Sequence, residues 1–284
     1  MKRITILINC PDRKGLVAAV TKFIEQAAGN ITYLDQHVDH TEKVFFMRLE
    51  CEFSKADFEL GYFKDEFRST FAEKYKIDHQ IFDAEHRLNM ALFVSKYDHC
   101  LYDLLGRYAS GELNVKIPLI ISNHPDLEVV AKRFDIPFKY IPVNKLNKPQ
   151  AEAEQIKFIK DHDVDFIVLA RYMQIISDDF VSQFPNRIIN IHHSFLPAFI
   201  GAKPYHAAFA RGVKIIGATS HYVTADLDEG PIIEQEIIRV SHINTIEDFI
   251  LKGRDLEKMV LARAIKAHLS HKVLVYGNKT VIFS

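Results

Sequence analysis

The first 83 residues alternate strand-like apolar runs with two stretches of helical periodicity. One helical stripe ends at Gly29, and Phe63, Phe67 and Phe71 recur every four residues on a second helix face. The resulting order, β-α-β-β-α-β, predicts the ferredoxin-like arrangement. The four predicted strands are residues 3–10, 31–39, 43–53 and 77–82.

A different rhythm begins at Leu88, after a polar stretch at residues 84–87 that we interpret as a linker. Strand-like runs that are apolar on both faces alternate with helical segments, as in a parallel sheet covered on both sides. We therefore expect a first domain at residues 1–83 and a mostly parallel, Rossmann-like α/β domain at 88–284. The predicted strands of this second domain are residues 88–95, 116–122, 138–143, 164–170, 187–193, 214–224 and 231–240.

The composition mainly excludes classes of protein, namely nucleic-acid-binding, membrane-spanning and secreted proteins. The 284 residues are 48% hydrophobic and 26% charged with a net charge of −1, which predicts a globular chain that binds no nucleic acid. No apolar run approaches the roughly 20 residues of a membrane span, and the start does not resemble a signal peptide. Three dispersed cysteines favour a reducing compartment. We expect a cytoplasmic protein without a membrane partner.

Fourteen histidines raise the question of a metal site. The sequence contains no HExxH or CxxC motif, and its close histidine pairs, His37/His40 and His268/His271, are isolated. Zinc sites need three or four ligands, so solvated or core histidines explain the pattern better. We predict no metal.

The stretch NIHHSFLP begins at Asn190, where a buried strand runs into two histidines. Because strand residues alternate between faces, Asn190 and His192 should share one face and His193 should point away. His192 then lies at the carboxyl end of a strand, where α/β sheets form their sites.

A second polar stretch, HYVTADLDEGPII, places Asp226, Asp228 and Glu229 beside Gly230. A solvated acidic turn would explain it, but one carboxylate could also face His192. An Asn, a His and an Asp suffice to cleave an amide-like bond without a covalent intermediate. Asn donates to the oxyanion, His protonates the leaving nitrogen, and Asp orients water or the imidazole.

These two motifs resemble the folate-dependent formyltransferases and hydrolases, and most closely the formyltetrahydrofolate deformylases. The resemblance covers residues 88–284 and implies that Asn190, His192 and Asp228 are the catalytic residues. It also implies a folate pocket along LARYMQIIS (169–177) and the acidic turn. The implied substrate-binding residues are Met173, Ile175, Ile176, Val223, Thr224, Asp226 and His221, although His221 could only orient a loop and the three apolar residues could be plain core.

The first domain resembles an ACT domain, a small-ligand regulatory module that the transferases usually lack. Its turn at Asp12 and Gly15 matches the effector turn of that family. The resemblance implies an amino-acid effector and a homo-oligomer, either a dimer or a tetramer.

The implied activity is hydrolysis of 10-formyltetrahydrofolate to formate and tetrahydrofolate, which would supply formate for one-carbon and purine metabolism. The folate is the substrate, and no cofactor is implied. Two alternatives stay open: a formyltransferase to an amine acceptor, and a non-enzymatic amino-acid sensor. The intact Asn190, His192 and Asp228 argue against the sensor.

Two features depart from the transferases. Their phosphate-binding glycine loop is replaced by VSKYDHCLYDLL (94–105), in which Tyr97, Leu101 and Tyr102 should fill the space of an acceptor. The proline that usually follows their catalytic histidine is His193 here, which we interpret as structural. Lys203 and His206 could border the pocket or belong to a solvated loop.

Overall fold

The computed structural model describes residues 1–54, 58–198, 201 and 203–284. The chain divides into two compact units, one formed by Met1–Arg87 with His271–Leu274 and Val281–Ser284, the other by Leu88–Ser270 with Val275–Thr280. The sequence-based limits at 83 and 88 remain a prediction. The structure adds that two short segments near the carboxyl terminus group with the first unit.

The first unit is built on a four-stranded antiparallel sheet in the order β2-β3-β1-β4. This is the predicted ferredoxin-like arrangement. Phe63, Phe67 and Phe71 are buried against the sheet, as their spacing predicted, although the helix that carries them is partly π-helical. The elements are β1 (Lys2–Pro11), α1 (Leu16–Gln26), β2 (Gly29–Asp39), β3 (Val44–Phe53), α2 (Leu60–Glu66), a π-helical segment (Phe67–Ala72), α3 (Glu73–Tyr75) and β4 (Asp78–Asp83).

The second unit contains a seven-stranded sheet in the order β11-β10-β9-β8-β5-β6-β7. Strands β5 to β9 are mutually parallel, whereas β10 and β11 extend the sheet in antiparallel fashion. The elements are β5 (Asn89–Val94), α4 (His99–Ala109), β6 (Lys116–Ser122), α5 (Glu128–Arg133), β7 (Phe138–Tyr140), α6 (Lys148–Asp161), β8 (Phe166–Leu169), α7 (Asp178–Ser182), β9 (Ile188–His192), α8 (Pro204–Arg211), β10 (Ile215–Tyr222), β11 (Ile232–Arg239) and α9 (Ile246–Leu269). The predicted mostly parallel α/β sheet is confirmed.

Local signals at the end of the chain also match the structure. Thr245 caps α9, with its side chain and that of Asp248 forming the reciprocal bonds of a capping box. Two further strands, β12 (Val273–Tyr276) and β13 (Lys279–Ile282), form the predicted hairpin around Gly277–Asn278. Within the described residues, no helix is long and apolar enough to span a membrane.

The sheet topology decides where the functional side chains meet. Strand β9 ends at His192 and pairs with β10, placing Asn190 opposite His221. The connection from β10 to β11 then carries Asp228 to within reach of His192. Three chain segments therefore converge at the carboxyl end of β9, as expected for the edge of a parallel sheet.

Candidate active site

The predicted catalytic residues lie together in the second unit. His192 is buried, and its Nδ1 lies 3.2 Å from Oδ1 of Asp228. The other ring nitrogen, Nε2, is buried and has no hydrogen-bond partner among the described residues. An unpaired buried nitrogen is costly. The ring is therefore held by Asp228 on one side and leaves Nε2 for a group that enters the site.

Asn190 and His221 form a second pair beside it. His221 Nδ1 lies 2.9 Å from the carbonyl oxygen of Tyr222, so this nitrogen carries the proton and donates it. Nε2 of His221 then accepts a hydrogen bond from Nδ2 of Asn190 at 3.2 Å. The Asn190 amide keeps one N–H for another acceptor, and its orientation is fixed.

The pKa values of these groups support the same assignment. Burial lowers the pKa of His221, more than the nearby Tyr222 carbonyl and Asp228 raise it, so His221 is neutral near pH 7. Burial alone would raise the pKa of Asp228, but the hydrogen bond and charge of His192 outweigh it. The pKa of Asp228 therefore lies below its ordinary value, and the carboxylate stays ionised.

The turn that holds Asp228 has a strained backbone. Asp228 has φ of 58°, in the left-handed region that aspartate tolerates better than most residues. Gly230 is required two residues later, because a Cβ there would collide with the carbonyl oxygen of Tyr222. The Asn278 side chain donates to the carbonyl oxygen of Glu229 at 2.8 Å and ties the turn down. These contacts hold the turn in the conformation that brings Asp228 to His192.

Asn190, His192, His221 and Asp228 line one cavity of about 310 Å³. Six of the seven substrate-binding residues implied by the resemblance also line it: Met173, Ile175, Ile176, Val223, Thr224 and His221. Asp226 does not line it, and its part in substrate binding stays a prediction. Asp226 is exposed, and its carbonyl oxygen accepts a hydrogen bond from Thr224, because the turn presents Asp228 inward instead.

His193 departs from the simple expectation of an outward side chain. It is buried, lines the same cavity, and its ring centroid lies 5.3 Å from that of His192. Strand alternation separates the two rings less than predicted because β9 ends at His192. Lys203 and His206 are exposed and do not line the cavity.

The segment after β5 is shorter and more helical than the sequence suggested. Because α4 begins at His99, Leu101 turns into the core and is fully buried. Tyr97 and Tyr102 are 42% and 39% exposed. None of these three side chains is among the described residues that line the catalytic cavity, so the expected filling of an acceptor space is not seen at these positions.

Sequence reasoning missed a buried polar cluster behind the cavity. Glu257 of α9 is 1% exposed and accepts hydrogen bonds from Tyr205 Oη at 2.7 Å and His99 Nε2 at 2.8 Å. Arg171, which lines the cavity, lies beside the same carboxylate. The signal in the sequence was a glutamate within the apolar stripe of a helix, where an unpaired charge would be expensive.

The same cluster brings together three atoms that could bind a metal, on His99, Cys100 and Glu257. Their chemistry argues otherwise. The Glu257 carboxylate is already hydrogen-bonded and faces the Arg171 cation, and burial raises the pKa of the Cys100 thiol well above its ordinary value. Zinc and similar ions need a deprotonated thiolate and a free carboxylate.

Comparison with known proteins places the chain in a family. A formyl transferase model matches residues 88–265, and an ACT domain model matches residues 4–57. A formyltetrahydrofolate deformylase of Synechocystis is 52% identical, covering 99% of this chain and 98% of its own length. This chain belongs to the formyltetrahydrofolate deformylase family. The ACT and formyltransferase-type domains predicted from the sequence are thereby confirmed.

Solved structures give the same placement. A formyltetrahydrofolate deformylase from Pseudomonas syringae superposes with a TM-score of 0.96 at 46% identity, covering 100% of this chain and 95% of that one. Glycinamide ribonucleotide transformylase 1 from Symbiobacterium toebii reaches a TM-score of 0.66 at 28% identity, covering 70% of this chain and 96% of that one. The deformylase family is thus the better match over the full chain, and the transferase alternative is not favoured.

Proposed function

We propose that this chain hydrolyses 10-formyltetrahydrofolate to formate and tetrahydrofolate. The observation that carries the proposal is the meeting of Asn190, His192 and Asp228 in one cavity, on a chain whose relatives are deformylases. The product formate would supply one-carbon and purine metabolism. The enzyme is a hydrolase that acts on the C–N bond of a formamide.

Each catalytic residue has a role that follows from its contacts. Asn190 donates its remaining amide N–H to the formyl oxygen as charge develops there. Asp228 positions the water that adds to the formyl carbon and holds the His192 imidazolium through Nδ1. His192 gives its Nε2 proton to N10 as the C–N bond breaks. The proton lost by the attacking water restores the imidazolium.

The cavity has the composition expected for a pterin ring. Met173, Ile175, Ile176 and Val223 supply apolar surface, and Thr224 supplies a polar edge. Met173 and Ile175 are 44% and 61% exposed and lie in the same cavity wall as Ile176 and Val223. A flat aromatic ligand would cover them, so we assign these residues to substrate binding, with neutral His221 orienting Asn190.

The reaction as proposed needs no metal and no cofactor, since Asn190, His192 and Asp228 supply every donor and acceptor that the steps require. We further propose that the protein is cytoplasmic and forms a dimer or tetramer. Residues 84–88, which contain neither helix nor strand, fit a linker at residues 84–87 between the domains at 1–83 and 88–284.

Formate release tests the function directly. Full-length enzyme given 10-formyltetrahydrofolate should release formate at the same rate with and without glycinamide ribonucleotide, because water is the nucleophile. Formate is measured with a coupled dehydrogenase, and folate products are separated by chromatography. Formylglycinamide ribonucleotide as the main product would reject the hydrolase.

Chelation tests the metal-free mechanism. Formate release should survive exhaustive chelation, and a loss of activity that added metal restores would reject this mechanism.

The first unit supports a regulatory proposal. Asp12 and Gly15 lie at the edge of a cavity of about 480 Å³ together with Leu16 and Gln36. Gly15 has φ of 87° and directly precedes α1, whose first backbone N–H groups are free to bind a carboxylate. We propose that an amino acid binds in this cavity as an effector.

Calorimetry with a panel of amino acids should therefore reveal one that binds the full chain. Binding should weaken in Gly15→Val, which cannot adopt the positive φ without strain, while Gly111→Val, at a positive φ outside this cavity, should bind normally. If no amino acid binds, the regulatory role is wrong and a scaffolding role for this unit is preferred.

A further inference from the structure

Arg171 occupies an unusual position in the catalytic cavity. It lies two residues beyond the end of β8, has φ of 64°, and is only 8% exposed. Arg171 shares the cavity wall with Asn190, His192 and Asp228.

The guanidinium of Arg171 has unused hydrogen-bonding capacity. Its Nε lies 3.3 Å from Oε2 of Glu257 but makes no hydrogen bond. Its Cζ lies over the Tyr97 ring, 4.9 Å from the ring centroid. No other hydrogen bond joins this side chain to a described residue. A guanidinium carries five N–H donors, so a nearly buried arginine with no side-chain hydrogen bond to a described residue has donors available for a ligand.

Glu257 holds the Arg171 cation by charge while leaving hydrogen-bond donors of the guanidinium available. Tyr205 and His99 already donate to the two carboxylate oxygens. Their hydrogen bonds and the Arg171 charge keep the pKa of Glu257 below its ordinary value despite burial, which alone would raise it. Glu257 is thus a fixed negative charge beside Nε, and it orients the guanidinium while leaving the two Nη groups for a second partner.

We propose that Arg171 is a carboxylate-binding residue and that it holds the product formate; this rests on the proposed function. Formate is planar and has two equivalent oxygens, which match the two parallel N–H groups of a guanidinium. The glutamate tail of a folate offers the same chemistry. The burial of Arg171 favours formate, because a long charged tail belongs near solvent whereas a one-carbon anion is released at the formyl carbon, inside the cavity.

Product inhibition tests the assignment. Sodium formate, compared with sodium chloride at equal ionic strength, should inhibit the wild-type enzyme. Arg171→Gln should raise the inhibition constant for formate at least about tenfold, as expected for loss of a charge-assisted pair. Arg171→Lys should fall between the two, because it keeps the charge and loses the fork. Arg254→Gln is the matched control: Arg254 lies 6.0 Å from the same Tyr97 ring but does not line the cavity, so it should keep normal inhibition.

Two further measurements keep the test decisive. Arg171→Gln leaves the buried Glu257 carboxylate without its cation, so this variant could fail to fold. The double variant Arg171→Gln/Glu257→Gln removes both charges and is used in that case. The KM for 10-formyltetrahydropteroate, which has no glutamate, separates the two carboxylates. If Arg171 variants raise KM only for the glutamylated substrate and leave formate inhibition unchanged, Arg171 binds the tail and the proposal is wrong. It is also wrong if formate does not inhibit a wild-type enzyme that releases formate normally, whereas a wild-type enzyme that releases none contradicts the proposed function itself.

Discussion

Replacing His192 with alanine should lower the turnover of 10-formyltetrahydrofolate at least about a hundredfold, the usual scale for loss of a general acid. The substitution removes the only ring nitrogen in the cavity that is buried and unpaired among the described residues, and with it the proton for N10. Asp228 also loses the partner that holds its pKa low. Formate release under saturating substrate measures the effect.

The control for this variant is His242→Ala, because His242 is exposed and outside the cavity. It should turn over normally. Thermal unfolding of His242→Ala should match that of the wild type. His192→Ala should melt at a lower temperature because Asp228 loses its partner, but it should remain folded at the assay temperature. A folded His192→Ala enzyme with more than about a tenth of normal turnover would remove His192 from proton transfer.

Much of the fold could be predicted because local patterns and global packing agree. The runs at 88–95 and 187–193 are apolar on both faces, and both are central strands of the sheet. The capping box at Thr245 begins the long helix as predicted. Strand order and the antiparallel β10 and β11 could not be obtained this way, because pairing is set by contacts between residues distant in the chain.

The candidate catalytic residues could be selected from the sequence for a different reason. Asn190 and His192 are polar residues at the end of a buried strand, where the cost of burial marked them as functional candidates. Asp228 lies in an acidic turn that solvent could also explain, and it was singled out by the resemblance to the family. Their geometry was beyond the sequence. The positive φ of Asp228 and the close approach at Gly230 turn Asp228 inward and leave Asp226 in solvent. Two positions along that turn separate the carboxylate that faces His192 from the solvated one.

The cluster behind the cavity could not be assembled from the sequence at all. Arg171, Tyr205 and Glu257 come from a strand end, a short helix and the long helix α9, and no motif links them. The need for glycine at Gly253, one helical turn before Glu257, could not be predicted either, because it depends on the Tyr205 ring, with which a Cβ would collide. Small and charged residues on a buried helix face were the available signal, but their partners are defined only by tertiary packing.

The position of Asp228 makes its charge the second large determinant of activity. Asp228→Asn should lower turnover at least about a hundredfold, because an amide is a weaker partner for the imidazolium and a weaker acceptor for water. Glu229→Gln is the matched control: it removes the neighbouring carboxylate, which is exposed and outside the cavity, and it should turn over normally. Formate release across a range of pH compares the two variants with the wild type.

The same substitution has a defined signature in stability. Because the folded-state pKa of Asp228 is below its ordinary value, the ionised carboxylate stabilises the fold at any pH above about 4, the pKa of an unfolded aspartate. That contribution is lost as pH falls through the lower folded-state value. Asp228→Asn should therefore melt at a lower temperature than the wild type near pH 7, and the difference should narrow as the pH falls below about 4. Equal melting temperatures at pH 7, together with normal turnover, would show that the contact with His192 matters for neither the fold nor the reaction.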